Sequence, residues 1–310
     1  MTSLGSWDGI ERNHQVRHGM TFPLAILAAV LADAGLPVAD VWEGEDKKLR
    51  GPWTILLVSM MDPRHMWRLA PWLYRVHCPV LAADRAENDP IVVVGGQAAT
   101  APEPIAHLAD VIYIGDAEAH AVDLLLALDG AGTRRQRLER AAAIPGCYVP
   151  SAWDGAPILK VESADIGITL RHQISVSTNN NPRIELARGC RSKCGFCVLG
   201  WRASYRENPL PDVVGTIDAI AATGARQMHL SAGDAESYSD IDAVRRRLAG
   251  HGVRDHSWTG RLDTLNDCSV TPGKLFAFGI EGLSHRLRRA VGKPRLTDEF
   301  IATEIADYWR

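Results

Sequence analysis

Cysteine is scarce in this chain, with six in 310 residues. They do not form the dense, paired framework of a small secreted scaffold, so disulfides are not expected to hold the fold. Long hydrophobic runs are missing too. The longest, Phe22 to Ala32, covers 11 residues and stops at Asp33. A membrane-spanning helix needs about 20. The opening stretch, Met1 to Gln15, is polar and lacks a basic region followed by an apolar one, so no signal peptide is read there. Neither sign of charge dominates, with a net charge of −3. That excludes a general pull toward nucleic acid or anionic lipid. The absences together lead us to expect a cytoplasmic protein with no membrane or nucleic-acid partner.

Hydrophobic residues make up 46% and charged residues 23%, the balance of an ordinary globular protein. The length suits two domains. Three of the cysteines are concentrated in Cys190-Arg191-Ser192-Lys193-Cys194-Gly195-Phe196-Cys197, spaced C-x-x-x-C-x-x-C. The other three, Cys78, Cys147 and Cys268, are isolated. Thiolates are soft ligands that suit iron–sulfur clusters, zinc or copper. A four-iron cluster commonly takes four cysteines, so three leave one iron open. Zinc is the rival, but structural zinc takes four ligands and its cysteines usually come as two separated pairs. No second pair is present. Three buried or idle thiols are the remaining reading.

The same residues carry a resemblance. Cys190, Cys194, Phe196 and Cys197 match the signature of the radical S-adenosylmethionine (radical SAM) superfamily. The resemblance implies a [4Fe-4S] cluster on the three cysteines, with SAM chelated at the open iron and cleaved by one electron to a 5′-deoxyadenosyl radical. It also implies that Phe196 packs against the adenine.

The N-terminal half alternates between helix and strand. Pro23 to Gly35 reads as a helix, Val38 to Trp42 and Thr54 to Met60 as strands, and His65 to Arg75 as a helix that Pro71 should kink or split. Ile91 to Val94 and Val111 to Ile114 are continuous apolar runs of the buried parallel type, and Ala117 to Leu128 is a helix. No strand is read before Phe22. The pattern predicts a doubly wound α/β domain over residues 1–145, with ligands beyond the carboxyl ends of its strands. Gly95, Gly96 and Gly115 stand there, either to admit a ligand or simply to make tight turns. Val92 to Thr100, Pro102-Glu103-Pro104 and Tyr113 to Glu118 resemble the cobalamin-binding domain that precedes many radical SAM domains. That resemblance implies cobalamin contacts at Gly95, Gly96, Thr100 and Gly115. The chain has no D-x-H-x-x-G, the motif whose His ligates cobalt in those domains. Its nearest approach is Asp62-Pro63-Arg64-His65, with different spacing.

Arg134, Arg135 and Arg137, and later Arg245 to Arg247, read as solvated helix faces. Residues 146–182 read as a β-hairpin turning at Asp154-Gly155, followed by a polar linker. Over residues 183–310 the alternation resumes, with strands at Ile184 to Ala187, Gln227 to Leu230, Ser257 to Leu262 and Leu275 to Ile280. Helices follow from Pro211, Asp240 and Leu283, and a last one starts at Thr297. This predicts a partial (β/α) barrel of four units with its site at the carboxyl ends of the strands. By resemblance, Gly233 and Asp234 stand where the family meets the SAM amino group, and Glu281 is a SAM contact. Related barrels have six units, so the fourth strand would be an open apolar edge. A second chain or a dimer mate is expected to cover it.

The resemblance implies a radical SAM enzyme, with methyl transfer from methylcobalamin as the reaction type. An electron donor and a small-molecule or peptide substrate would be its partners. A cobalamin-independent enzyme with a vestigial front domain, and a non-catalytic metal-binding protein, are the alternatives.

Overall fold

The computed structural model describes residues 2–3, 22–36, 42–43, 54–176, 182–257, 259–265 and 277–309. Contacts divide the chain into two compact units, Met1–Ser163 and Ala164–Arg310.

In the first unit the elements run β1 (Thr2–Ser3), α1 (Phe22–Asp33), β2 (Trp42–Glu43), β3 (Ile55–Ser59), α2 (Met66–Arg75), β4 (Ile91–Gly95), β5 (Val111–Tyr113), α3 (Ala121–Asp129), α4 (Arg134–Ala142) and β6 (Cys147–Tyr148). They build one sheet in the order β2-β1-β3-β4-β5-β6. Every neighbouring pair is parallel except β5 with β6. Both faces of this sheet are covered, which is why its strands are apolar without alternation. Val92 and Val94 pack with Leu69, Trp72 and Leu73 on one face. Ile91 and Val93 pack with Leu124, Leu128 and Leu138 on the other.

The strand missing from the sequence reading is Thr2–Ser3, two residues lying between β2 and β3. Two polar residues carry no periodic signal, so only the neighbouring strands reveal them as a strand. Residues 38–41 of the strand expected at Val38 to Trp42 lie outside the described residues, and Trp42 is in β2. Pro71 does not split α2, which runs through it. A proline frees the carbonyl four residues earlier. Here that residue is Trp67, which is exposed, so water can take the freed carbonyl.

The expected hairpin does not form. Asp154 and Gly155 do turn the chain, with Gly155 at φ 92° and the Asp154 Oδ1 accepting from Ala156 N at 2.9 Å. The flanking segments pair elsewhere, however. Cys147 and Tyr148 join β5, and Val161 bridges Gly115. A local turn is weaker than two places on an existing buried sheet edge.

The solvated-face reading holds for Arg135, Arg246 and Arg247, which are exposed, but not for Arg134 or Arg245. Arg134 is buried, and its Nη2 stands 2.7 Å from Asp110 Oδ1. Arg85 Nη1 meets the other oxygen of Asp110 at 2.7 Å, and Val92 N donates to that same oxygen at 2.8 Å. One buried carboxylate thus balances two buried guanidiniums. In the second unit Arg245 is likewise enclosed, paired with Glu236 and, at 3.6 Å, with Asp255.

The second unit runs α5 (Ile168–Val176), β7 (Arg183–Glu185), β8 (Ala187–Arg188), α6 (Leu199–Arg202), β9 (Arg206–Glu207), α7 (Leu210–Ala222), β10 (Gln227–Ser231), α8 (Ile241–Gly250), β11 (Arg254–Asp255), β12 (Thr259–Gly260), β13 (Ala277–Phe278), α9 (His285–Ala290) and α10 (Asp298–Trp309). Strands β7, β10 and β11 form one parallel sheet, and β12 and β13 a second parallel pair. Helices α7 and α8 seal the first through Val213, Ile217, Ile220, Val244 and Leu248. This is the α/β succession expected of a partial barrel; of the expected third strand, Ser257 to Leu262, the described strand is β12, and β11 precedes it in the first sheet. Among the described residues no helix is long and apolar enough to cross a membrane.

One strand carries a pH dependence. His229 on β10 faces Arg183 in register on β7. Burial, then the Arg183 charge, pushes its imidazole down to about 4. Between the unfolded value near 6.5 and that value, the unfolded chain binds the extra proton. Stability is therefore lost as pH falls through this window. As pH falls from 7 toward 4, the urea midpoint of wild type should drop relative to that of His229→Gln. Parallel curves would show that His229 does not titrate this way.

Candidate functional site

The cysteine loop is shaped by its own packing. β8 pairs antiparallel with β9, so residues 189–205 leave and return at one place. Gly189 takes φ 73°, and a Cβ there would stand 2.6 Å from Ser204 O. At Gly200 a Cβ would stand 2.0 Å from Ser192 O, so only hydrogen fits. Trp201 Nε1 donates to Cys194 O at 3.0 Å, and Cys197 N to the same carbonyl at 3.1 Å. Lys193 Nζ donates to Gly200 O. Gly195 N donates to Val291 O at 3.0 Å, which ties the loop to the end of α9. After Cys197 the chain enters the short helix α6.

Cys190 and Cys194 are buried, Cys197 is partly exposed, and none of the three is in a disulfide. Burial pushes the Cys190 thiol up. Cys78 and Cys147 are buried in the first unit, where burial raises both thiols, Cys147 to about 12. They are core residues rather than ligands. Cys268 lies outside the described residues.

Among the described residues, no three His, Cys, Asp or Glu side chains stand close enough to share one ion. Structural zinc gathers four donors around one centre. A four-iron cluster takes its thiolates on separate irons, so the donors need not converge on a point. The donors present, three free thiols on one loop, are three of the four thiolates that such a cluster commonly takes.

The other residues expected in this unit gather around the loop. Gly233 follows β10, and a Cβ there would meet Gly189 O at 2.5 Å and Cys190 Cβ at 3.0 Å. The turn after β10 therefore backs directly onto the cysteine loop. Asp234 is buried, and burial holds its carboxyl above the usual range. Ser237 Oγ donates to it at 2.6 Å and Thr264 Oγ1 at 3.2 Å. The Phe196 ring is half exposed, with Lys293 Nζ 5.8 Å from its centre. Lys293 is buried, donates to Gly279 O at 2.6 Å, and pairs with Glu281 Oε1 at 3.0 Å. Glu281 has a left-handed backbone, φ 59°, a strained conformation for a non-glycine residue. Phe196, Lys293 and Glu281 thus form a chain of contacts from the cysteine loop to the turn after β13.

Sequence reasoning passed over Arg261. Its Nη1 stands 2.8 Å from Cys194 Sγ, and its Nε and Nη2 fork onto the Asp263 carboxylate at 3.0 and 2.9 Å. The available signal was an Arg-x-Asp ending the predicted third strand. Trp258 lies outside the described residues. Tyr205 is engaged with Glu207 at 2.6 Å, and the Trp201 ring is exposed.

In the first unit the glycines stand at the carboxyl ends of β4 and β5. Gly95 is open, the nearest atom to a would-be Cβ being 3.9 Å away. Gly96 takes φ 98°, and its empty side is filled by the Met60 backbone, 2.4 Å from a would-be Cβ. Gly115 is filled in the same way by Val161. Thr100 Oγ1 donates to Gln97 O at 3.1 Å, closing its own turn. The turn Pro63–His65 packs beside the turn Gln97–Thr100. His65 is buried, burial lowers its pKa, and among the described residues its Nδ1 has no hydrogen-bond partner.

Comparisons with known proteins bear on the family resemblance and the fold. Residues 57–150 match the family described as radical SAM proteins, N-terminal. The ribosomal protein uS12 methylthiotransferase RimO of Sorangium cellulosum (strain So ce56) is 37% identical over 68 residues, 22% of this chain and 14% of that protein. The tRNA-2-methylthio-N(6)-dimethylallyladenosine synthase of Chlorobium phaeobacteroides (strain BS1) is 32% identical over 96 residues, 28% of this chain and 22% of that protein. Two structures of the radical S-adenosylmethionine methyltransferase TsrM from Kitasatospora setae share the fold. The one with tryptophan substrate and the SAM analogue aza-SAM bound has a TM-score of 0.52 at 16% identity, covering 80% of this chain and 53% of that one. The one with cobalamin and a [4Fe-4S] cluster bound has a TM-score of 0.50 at 15% identity, covering 86% and 57%. The matches thus span less than a quarter of the curated relatives and little more than half of the TsrM chain.

Proposed function

We propose that this chain, resembling radical SAM enzymes in its cysteine loop and its fold, is a radical SAM enzyme or a part of one, of the cobalamin-dependent methyltransferase type. The observation that carries the reading is the loop itself: three free thiols in a loop whose shape its own glycines and backbone hydrogen bonds set. A [4Fe-4S] cluster bound there supplies the reductive cleavage of SAM to methionine and a 5′-deoxyadenosyl radical.

The chain's own residues have definable tasks around such a ligand. Cys190, Cys194 and Cys197 hold the cluster. The half-exposed Phe196 ring offers a face to an adenine. Gly233 keeps the turn after β10 flat against the loop, and the Asp234 carboxyl beside it suits a ligand ammonium. Lys293 pairs with Glu281 in the turn after β13, and that carboxylate suits a ribose or an amine. An electron donor and a small-molecule or peptide substrate are required partners. A second chain or a dimer mate is the proposed cover for the β13 edge. An oxygen-sensitive cluster and unpaired thiols suit a reducing cytoplasm.

For cobalamin, support comes from the paired turns after β3 and β4. They combine open backbone at Gly95 with a buried, neutral imidazole whose Nδ1 is orphaned at His65. Against it, the Gly96 and Gly115 spaces are taken by Met60 and Val161, which favours a second reading: a cobalamin-independent enzyme with a vestigial front domain.

The test is anaerobic reconstitution with iron and sulfide, then incubation with SAM, dithionite and cobalamin. The expected result is a brown protein that forms 5′-deoxyadenosine and retains cobalamin through gel filtration. A fully loaded cluster with no 5′-deoxyadenosine would end the enzyme reading. 5′-Deoxyadenosine without retained cobalamin would leave the second reading standing.

A further inference from the structure

We infer that Arg261 is a positioning residue that tunes the electron affinity of the cysteine-loop site through Cys194, with Asp263 as its anchor; this rests on the cluster reading above. Three observations converge. The Arg261 Nη1 is 2.8 Å from the Cys194 sulfur. The side chain is largely buried, 13% exposed, and so is Asp263 at 6%. Asp263 takes Nε and Nη2 as a two-point fork, so the third edge of the guanidinium is aimed rather than free to wander.

The physical consequence follows from charge. When one electron is taken up from an external reductant, the thiolate sulfurs become more negative, and no proton need move. A cation and an N–H donor on one sulfur stabilise that state more than the oxidised one. Hydrogen bonds to cluster sulfurs and local charge are the levers by which proteins set such potentials. The low dielectric around a buried guanidinium strengthens the effect. Asp263 moderates it, because its carboxylate offsets part of the charge while fixing the direction of the bond.

The experiment uses the full chain, reconstituted anaerobically, as wild type, Arg261→Gln and Asp263→Asn. Iron and sulfide are counted first, and the reduced fraction is then followed by EPR in a dye-mediated redox titration without SAM. Arg261→Gln should load with cluster and show about a tenfold lower ratio of reduced to oxidised protein at a fixed potential, equivalent to 59 mV for one electron. Asp263→Asn, which keeps the cation but loses its anchor, should give a different midpoint from both. An unchanged midpoint in loaded Arg261→Gln would overturn the inference. So would weakened SAM binding without a midpoint change, which would make Arg261 a carboxylate contact instead. If Arg261→Gln takes up no iron, Asp263→Asn decides: a wild-type midpoint there overturns the inference. A wild type that binds no four-iron cluster fails the underlying reading, and it is recognised by the iron count before any titration.

Discussion

Replacing Cys190 by alanine abolishes the visible absorbance of the reconstituted protein and lowers its iron content to background. Cys190 is one of three thiols on a loop that has no spare. The two other described cysteines cannot stand in for it. Cys78 and Cys147 are packed in the core of the first unit, with thiols pushed up by burial. A thiolate, not a thiol, binds metal. Two remaining donors do not hold a cluster that commonly takes four. The loop itself survives the change, because its shape rests on the β8–β9 pairing, the Gly189 and Gly200 contacts and the Trp201 bond to Cys194 O. Apo-protein stability should therefore move by about 1 kcal/mol or less, since a buried cysteine acts as a small apolar residue. Cys147→Ala is the matched control and keeps full colour. A Cys190→Ala protein that kept its iron and absorbance would remove the cysteine loop from the account.

Replacing Asp110 by alanine destabilises the first unit by about 3–5 kcal/mol, the usual cost of removing one partner of a buried ion pair. Here the cost falls on two cations. Arg85 and Arg134 both lose their counter-charge, and Val92 N loses its acceptor. The guanidiniums keep carbonyl partners: Arg85 at Leu108 O (2.6 Å), Arg134 at Asp89 O (2.8 Å). Those bonds satisfy donors but do not neutralise charge. Set against a typical total of about 5–15 kcal/mol, the loss is large. Trp72 is buried on α2 in the same unit, so its fluorescence in a urea titration reports the shift. Asp110→Asn, which keeps an acceptor, should fall between wild type and alanine. An alanine variant within about 0.5 kcal/mol of wild type would mean the charges are not buried as described.

The two variants differ in what could be foreseen. The cysteine loop is legible because its chemistry is local: three donors within eight residues meet one ligand whatever the rest of the chain does. Asp110 gives no such sign. Its partners lie 25 and 24 residues away, and Arg134 sits in a run of arginines that looks like a wet helix face. The first turn of α4 settles against the loop at Asp89 and Pro90 and takes Arg134 inside. Arg261 was hidden for the same reason, being 67 residues from the sulfur it touches.

The chain's apolar runs and their spacing were enough to determine two α/β units, most of the strands and helices, and the loop that carries the thiols. Those features follow from backbone hydrogen bonding and burial, whose periods are written into neighbouring residues. Only the tertiary structure decided that Thr2–Ser3 is a strand, that Cys147–Tyr148 joins β5 instead of turning back on residues 156–161, and which arginines are buried. It also placed Gly233 against Cys190 and Lys293 between Phe196 and Glu281. These are choices among partners far apart in the chain, settled by the energy of closing a core around charge and backbone, and no local pattern encodes them.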